Sequence, residues 1–250
     1  MAGHSHSSNI AHRKAAVDGK RAKLWSKLAR GIIVAARMGG GDPDSNLKLR
    51  YAIADAKAVS MPKENIERNI KKGTGELESE MLDETIYEGY GPGGVAVMCE
   101  ILTDNRNRTA PEIRKIFENY GGKLGATNCV SWLFERKGVF VIAAAKAGEE
   151  RLMEVTLDAG AEDIKNEGDV FLVTCPVDSF TAVAEALTAA GIEPESKQIS
   201  RIPTNTVDVT DPEIAKDVLK LVELLDDHDD VQSVSANFSI TDEVLAAAGK

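Results

Sequence analysis

The 250-residue sequence predicts a multi-domain protein of mixed α and α+β class. We expect an N-terminal three-helix bundle and two ferredoxin-like α/β domains, one inserted in the other. Three observations predict this architecture. The chain is long enough for two or three domains, its first third shows helical periodicity, and the remainder alternates short apolar runs with helical segments. An apolar content of 43% is sufficient for several cores.

The first block of the chain is predicted to be helical. Between residues 20 and 38, apolar residues recur at helical spacing and share one face, while Lys and Arg lie on the opposite face. Further helices are predicted over 47–59 and 60–73, and Pro and Gly stand where a helix begins and ends. Short connections predict a bundle domain over residues 1–78, with a mobile tail at its N-terminus.

Strands and helices alternate in the rest of the chain. Residues 137–203 contain strands and helices in the order β-α-β-β-α-β, which is one complete ferredoxin-like unit. A β-α-β run before it ends in a predicted strand over 129–135, and a strand, a helix and a strand follow it, with the last strand over 231–240. These leftover elements predict a second, split domain made of 79–136 plus 204–241, into which 137–203 is inserted at a hairpin tip.

Sequence motifs for catalysis or cofactor binding are weak. GYGPGG (89–94) matches the dinucleotide pattern GxGxxG, but a strand follows it instead of a helix, so we interpret it as a hairpin turn. Cys99, Cys129 and Cys175 lie far apart in apolar runs, which favours reduced, buried thiols. We expect no catalytic residues, no metal site and no cofactor; an enzyme with an interdomain site stays an alternative.

Charge is distributed unevenly along the chain. Residues 1–72 hold 15 Lys and Arg against 6 Asp and Glu, whereas residues 73–250 hold 15 against 34, and the whole chain carries a net charge of -10. This division favours a basic module for a polyanion joined to acidic domains. A solvated surface helix and a membrane-surface helix are the alternatives. No apolar run approaches the roughly 20 residues of a membrane-spanning helix, so no membrane partner is expected.

The candidate phosphate contacts are cations of this basic region and of the loop TDNRNRT (103–109), which leads into a helix. They are Arg13, Lys14, Lys20, Arg21, Lys23, Lys27, Arg30 and Arg37, together with Arg106 and Arg108. In the loop, the alternative is that Asn and Thr merely form a turn and a helix cap. The basic helix carries no outward-facing Asn or Gln, so recognition of phosphate and shape is favoured over base readout.

Several longer stretches are similar to one known family. They include MAGHS, HRKAA (12–16), ARMGGGDP (36–43), MPKENIERNIKKGTGE (61–76), YEGYGPGGVA (87–96) and SWLFERKG (131–138). Together they resemble the YebC/PmpR family over essentially the full length. The resemblance implies a cytoplasmic, non-enzymatic regulator of gene expression with three domains. Bacterial members are described as probable DNA-binding transcriptional regulators, and a mitochondrial relative as a translational activator.

The resemblance leaves the nucleic acid open between DNA and ribosomal RNA. A ribosome-associated translation factor is therefore the alternative to a transcriptional regulator. A ribosome or protein partner bound through the acidic α/β domains is a further expectation. The oligomeric state does not follow from the sequence.

Overall fold

The computed structural model describes residues 4–5, 21–78 and 81–248. Over these residues the chain is a mixed α+β protein, with a helical N-terminal region followed by β-sheets that are packed against helices. The predicted fold class is confirmed at this level. No helix in the described part of the chain is long and apolar enough to cross a membrane.

The N-terminal region consists of α1 (Arg21–Gly39), α2 (Leu47–Ala58) and α3 (Lys63–Thr74). Asn46 joins the first two helices: its side-chain oxygen caps α2 at Leu49, and its amide donates to the carbonyl of Ala35. Ile32, Leu49 and Ile66 are buried between the three helices, as their helical spacing predicts. The side chain of Asn46 therefore fixes the angle at which α2 leaves α1.

The first four-stranded sheet contains β2 (Asp83–Tyr90), β3 (Ala96–Thr103), β4 (Lys123–Leu124) and β10 (Val231–Ala236). Its order is β10-β3-β2-β4, and neighbouring strands are antiparallel. The helices α4 (Arg106–Asn119) and α7 (Pro212–Asp227) pack on one face, around buried side chains such as Phe117 and Leu221. A short turn over Pro92–Gly94 joins β2 to β3, which confirms the predicted hairpin.

The second four-stranded sheet is formed by a continuous stretch of chain, residues 134–203. Its strands are β5 (Phe134–Ala143), β6 (Asp163–Asn166), β7 (Val170–Pro176) and β8 (Ser196–Pro203), in the antiparallel order β6-β7-β5-β8. The helices α5 (Glu149–Thr156) and α6 (Phe180–Ala189) cover one face, where Phe140 stacks on Phe180. The first sheet takes its strands from both sides of this stretch.

A small third sheet has the order β1-β11-β9, with strands His4–Ser5, Phe238–Ile240 and Val207–Asp208. The pairing of His4 and Ser5 with β11 differs from the mobile tail that the sequence predicts at that point. The final helix, α8 (Asp242–Ala248), is not among the predicted elements.

Two predicted strands are wrong in their extent. Residues 129–135 do not form one strand: Ser131–Leu133 is a helical turn, and Phe134 begins β5 of the second sheet. The backbone N–H groups of Asn128, Val130 and Ser131 donate to Glu88 instead of to a neighbouring strand. The strand predicted over 231–240 is interrupted at Asn237, whose side chain accepts a hydrogen bond from the backbone of Ala96.

Candidate nucleic-acid interface

The basic face of α1 contacts a run of acidic residues at the end of α7. This segment, residues 226–230 (DDHDD), is called the acidic turn below. Lys23 donates to the carbonyl of Asp227 at 3.2 Å, and Lys27 donates to the carbonyl of Asp226. The last carbonyls of a helix carry partial negative charge, so the end of α7 attracts cations even apart from its carboxylates.

Arg30 makes the strongest of these contacts. Its Nη1 donates to Oδ1 of Asp230 at 2.7 Å and to the carbonyl of Asp229 at 2.7 Å. The Asp230 side chain is just 2% exposed, so this is a buried, charge-assisted pair. Lys27 adds a weaker ion pair with Asp226 at 3.8 Å, and Lys23 one with Asp229 at 4.0 Å.

Asp230 also binds the second candidate region, the loop 103–109. Its Oδ2 accepts hydrogen bonds from Arg108 at 2.7 Å, from Thr109 at 2.7 Å and from Thr103 at 3.1 Å. Burial of this carboxyl would raise its pKa, but the hydrogen bonds from Thr109, Arg108 and Arg30 outweigh that effect and lower the pKa to about 2. One carboxylate therefore joins α1, the loop and β10.

The two regions that the sequence treats as separate, the basic helix and the loop with Arg106 and Arg108, thus adjoin at Asp230. Arg106 lies at the edge of this surface, where it pairs with Asp83 at 3.2 Å and donates to the carbonyl of Glu84. Asn105 caps α4 by accepting from the backbone of Arg108, so the predicted capping role is also present. The cap and the cation cluster occupy the same loop.

The candidate cations differ in their exposure. The side chains of Lys23, Arg106 and Arg108 are 55%, 52% and 43% exposed, whereas those of Lys27 and Arg30 are 13% and 26% exposed. Arg37 is half-buried. Other candidates lie outside the described residues, namely Arg13, Lys14 and Lys20, and for Arg21 the backbone alone is described.

The uneven charge along the chain predicts a basic module distinct from the acidic domains, but the cationic face of α1 lies directly against one of them. Attraction between unlike charges brings that face onto the acidic turn, and the buried Asp230 is stabilised by two guanidinium groups. The sequence analysis does not connect LDDHDD (225–230) with the basic helix. The signal that could have connected them is the presence of four carboxylates at a helix C-terminus, which favours cations nearby.

These observations define a mixed α+β protein in which a basic helix and a basic loop form one surface around a buried carboxylate. Comparison with known proteins identifies its family. Residues 5–76 match the TACO1/YebC protein N-terminal domain, and residues 82–238 match the TACO1/YebC second and third domain. The chain belongs to the TACO1/YebC family.

Relatives from two bacteria align over nearly the full chain. A probable transcriptional regulatory protein of Rhodopirellula baltica is 54% identical over 247 residues, which cover 98% of this chain and 100% of the relative. One of Aquifex aeolicus is 51% identical over 249 residues and covers 100% of both chains. The crystal structure of a conserved hypothetical protein from Aquifex aeolicus has a TM-score of 0.84 and 50% identity, covering 92% of this chain and 94% of that one.

Proposed function

We propose that the protein is a non-enzymatic, nucleic-acid-binding regulator of gene expression. The observation that carries the proposal is the concentration of positive charge in residues 1–72 of an acidic protein, within a family whose relatives are named probable transcriptional regulatory proteins. A net negative protein avoids polyanions unless a local cationic surface attracts them. The basic N-terminal region is such a surface.

The candidate cations fall into two groups with different roles, according to the exposure of their side chains. Lys23, Arg106 and Arg108 contact phosphate, because about half of each side chain is accessible. Lys27 and Arg30 hold α1 against the acidic turn and so orient the exposed cations. Arg13, Lys14, Lys20, Arg21 and Arg37 extend the phosphate-binding region along the N-terminal segment.

The arrangement favours recognition of the backbone and of shape over recognition of base sequence. Bidentate readout in the major groove requires Arg, Asn or Gln side chains that project from an element able to enter the groove. Two of the α1 cations, Lys27 and Arg30, are instead directed at the acidic turn. We assign the bundle at 1–78, together with the loop 103–109 beside it, to nucleic-acid binding. The rest of the acidic domains, at 79–136 with 204–241 and at 137–203, is assigned to orientation or to a protein partner.

The salt dependence of binding tests this function. The double variant Lys23→Ala/Arg106→Ala removes two exposed cations, and Lys165→Ala/Lys216→Ala, which removes two exposed cations elsewhere, is its matched control. Binding of labelled duplex DNA and of a structured RNA is measured between 50 and 200 mM salt by fluorescence anisotropy. If each cation contacts a phosphate, the salt slope of log K on duplex DNA falls by about 1 for each one removed.

The control variant is expected to retain the slope of the unmodified protein. A third variant, Arg13→Ala/Lys14→Ala, measures the contribution of the N-terminal segment. Equal affinities and slopes for all four proteins would refute the assignment of these cations to phosphate. Tighter binding of structured RNA than of DNA at equal salt would favour the translation-factor alternative over transcriptional regulation.

A further inference from the structure

Two aromatic side chains are exposed beside the loop that joins the first sheet to the second. Trp132 is 71% exposed and Tyr90, at the end of β2, is 41% exposed. Neither ring stacks on another aromatic ring in the described part of the chain. Two exposed aromatic rings at one ordered loop offer a flat apolar surface that a ligand can contact.

Both rings are anchored to the same backbone atom. The indole Nε1 of Trp132 donates to the carbonyl of Cys129 at 3.1 Å, and the hydroxyl of Tyr90 donates to that same oxygen at 3.2 Å. The two polar atoms are therefore no farther apart than the sum of those distances. Because their polar edges are already paired, what the two side chains offer to a ligand is chiefly their apolar ring surface.

The loop that carries Trp132 is held in place by the buried carboxylate of Glu88. Glu88 is 3% exposed, and its two carboxylate oxygens accept hydrogen bonds from the backbone N–H groups of Asn128, Val130 and Ser131 at 2.8–2.9 Å. Asn128 adopts a positive φ of 65°, which turns the loop back over the sheet. A carboxylate buried in this way fixes the carbonyl of Cys129, and hence both rings, before any ligand binds.

A cation lies beside Tyr90. Lys123 is directly opposite Tyr90 in the β2–β4 pair, so the two side chains emerge on the same face of the sheet. Lys123 is exposed and forms no ion pair with the described residues. A ring surface next to an unneutralised ammonium group suits a ligand with a flat aromatic part and a negative charge.

The surroundings disfavour a large protein interface. Residues 125–128 are Gly, Ala, Thr and Asn, all exposed, so this part of the loop adds little apolar area to the two rings. Stable protein interfaces bury about 800 Å² on each partner and contain an apolar centre. One or two nucleobases cover an area the size of these rings, and base stacking on aromatic side chains is common in proteins that bind single strands.

We infer that Trp132 and Tyr90 form a stacking platform for unpaired nucleobases, with Lys123 contacting an adjacent phosphate. The inference rests on the proposed nucleic-acid-binding function and adds the form of the ligand, a single-stranded segment of RNA or DNA. Trp132 provides the main stacking surface because it is the more exposed ring. The acidic part of the chain therefore contributes a second nucleic-acid contact.

The test compares strands that differ solely in their bases. The full-length protein is titrated with a 12-nucleotide oligouridylate, with oligodeoxythymidylate and with an abasic strand of the same length and charge. The oligonucleotides with bases are expected to bind more tightly than the abasic strand. The Trp132→Ala variant is expected to lose about 5- to 150-fold in affinity for the strands with bases and to bind the abasic strand unchanged.

Three further variants separate stacking from changes in folding. Trp132→Phe keeps an aromatic face and is expected to retain most of the affinity. Leu157→Ala truncates an exposed apolar side chain elsewhere and is expected to have no effect. In a Trp25→Phe background, Trp132 is the sole tryptophan, and its fluorescence is expected to be quenched by oligouridylate and not by the abasic strand.

The outcomes distinguish this inference from the proposed function. Equal binding of the strands with and without bases, with a salt slope that depends on Lys23 and Arg106, would overturn the platform and leave the proposed function standing. Absence of binding to every strand and duplex would overturn both. If Trp132→Ala leaves oligonucleotide affinity unchanged but releases a protein that co-purifies with the unmodified chain, the surface is a protein contact and the inference is wrong.

Discussion

Replacement of Asp230 by Asn is expected to destabilise the protein strongly, because this carboxylate joins three parts of the chain. The side chain is 2% exposed and accepts hydrogen bonds from Arg30, Arg108, Thr109 and Thr103. An amide retains one acceptor oxygen and places an NH₂ group where the other oxygen met donors. Several donors then lose their partner, and two guanidinium groups lose their counter-charge.

The size of the effect follows from two arguments. The pKa of Asp230 falls from 3.8 to about 2 on folding, which corresponds to about 2.5 kcal/mol of stability when the group is ionised. Removal of one member of a buried ion pair costs about 3–5 kcal/mol, and the partial exposure of both arginines favours the lower end. We therefore expect Asp230→Asn to lower the free energy of unfolding by about 3 kcal/mol.

The assay is urea denaturation followed by circular dichroism at pH 7, repeated at lower pH. Because the folded-state pKa is below the unfolded value, the contribution of Asp230 is complete above about pH 5 and disappears as the pH falls towards 2. The difference between the unmodified protein and the variant should shrink over that range. Asp229→Asn, at a side chain that is 68% exposed, is the control and should change stability by less than about 0.5 kcal/mol.

The reasoning is refuted if Asp230→Asn unfolds at the same urea concentration as the unmodified protein at pH 7. It is also refuted if the variant is destabilised equally at pH 7 and at pH 2, because that result would assign the loss to packing and not to charge.

Three further changes test the packing at Glu88 and at two glycines of the helical bundle. Glu88→Gln should lower the free energy of unfolding by about 2–3 kcal/mol, because one amide oxygen cannot replace two carboxylate oxygens that accept three N–H groups. Hydrogen exchange should then show faster opening of residues 128–131. Gly73→Ala should destabilise by about 1–3 kcal/mol in thermal or urea unfolding, since a Cβ there would lie 2.5 Å from the carbonyl of Ile33 in α1. Gly31→Ala, where a Cβ meets nothing within 4 Å, should instead leave stability unchanged or raise it by up to about 1 kcal/mol.

Much of the secondary structure follows from local pattern. The helical spacing of apolar residues in α1 and the glycines after it predict a helix over 20–38, and the structure has one over Arg21–Gly39. The strand that follows GPGG predicts a hairpin instead of a nucleotide loop, and β2 and β3 pair across that turn. Both features depend on residues close together in the sequence, which is why pattern alone is sufficient.

The errors arise where distant residues override local preference. The apolar run CVSWLFE (129–135) resembles a strand, but Glu88, about 40 residues earlier, takes its backbone donors and folds it into a turn. The cations of α1 look exposed in a helical projection, but Asp230, 200 residues later, accepts from Arg30. The periodicity of apolar residues shows on which face of its helix a residue lies. It does not show which other element packs against that face.

The central claim, that the exposed cations of α1 and of the loop 103–109 bring this protein to nucleic acid, is tested most directly by crosslinking in cells. The unmodified protein, the Lys23→Ala/Arg106→Ala variant and the Lys165→Ala/Lys216→Ala control are crosslinked by ultraviolet light, and the attached nucleic acid is quantified and sequenced. We expect recovery with the unmodified protein and the control, and a clear reduction with the Lys23/Arg106 variant. Equal recovery with all three proteins, or no nucleic acid with any of them, would contradict the claim.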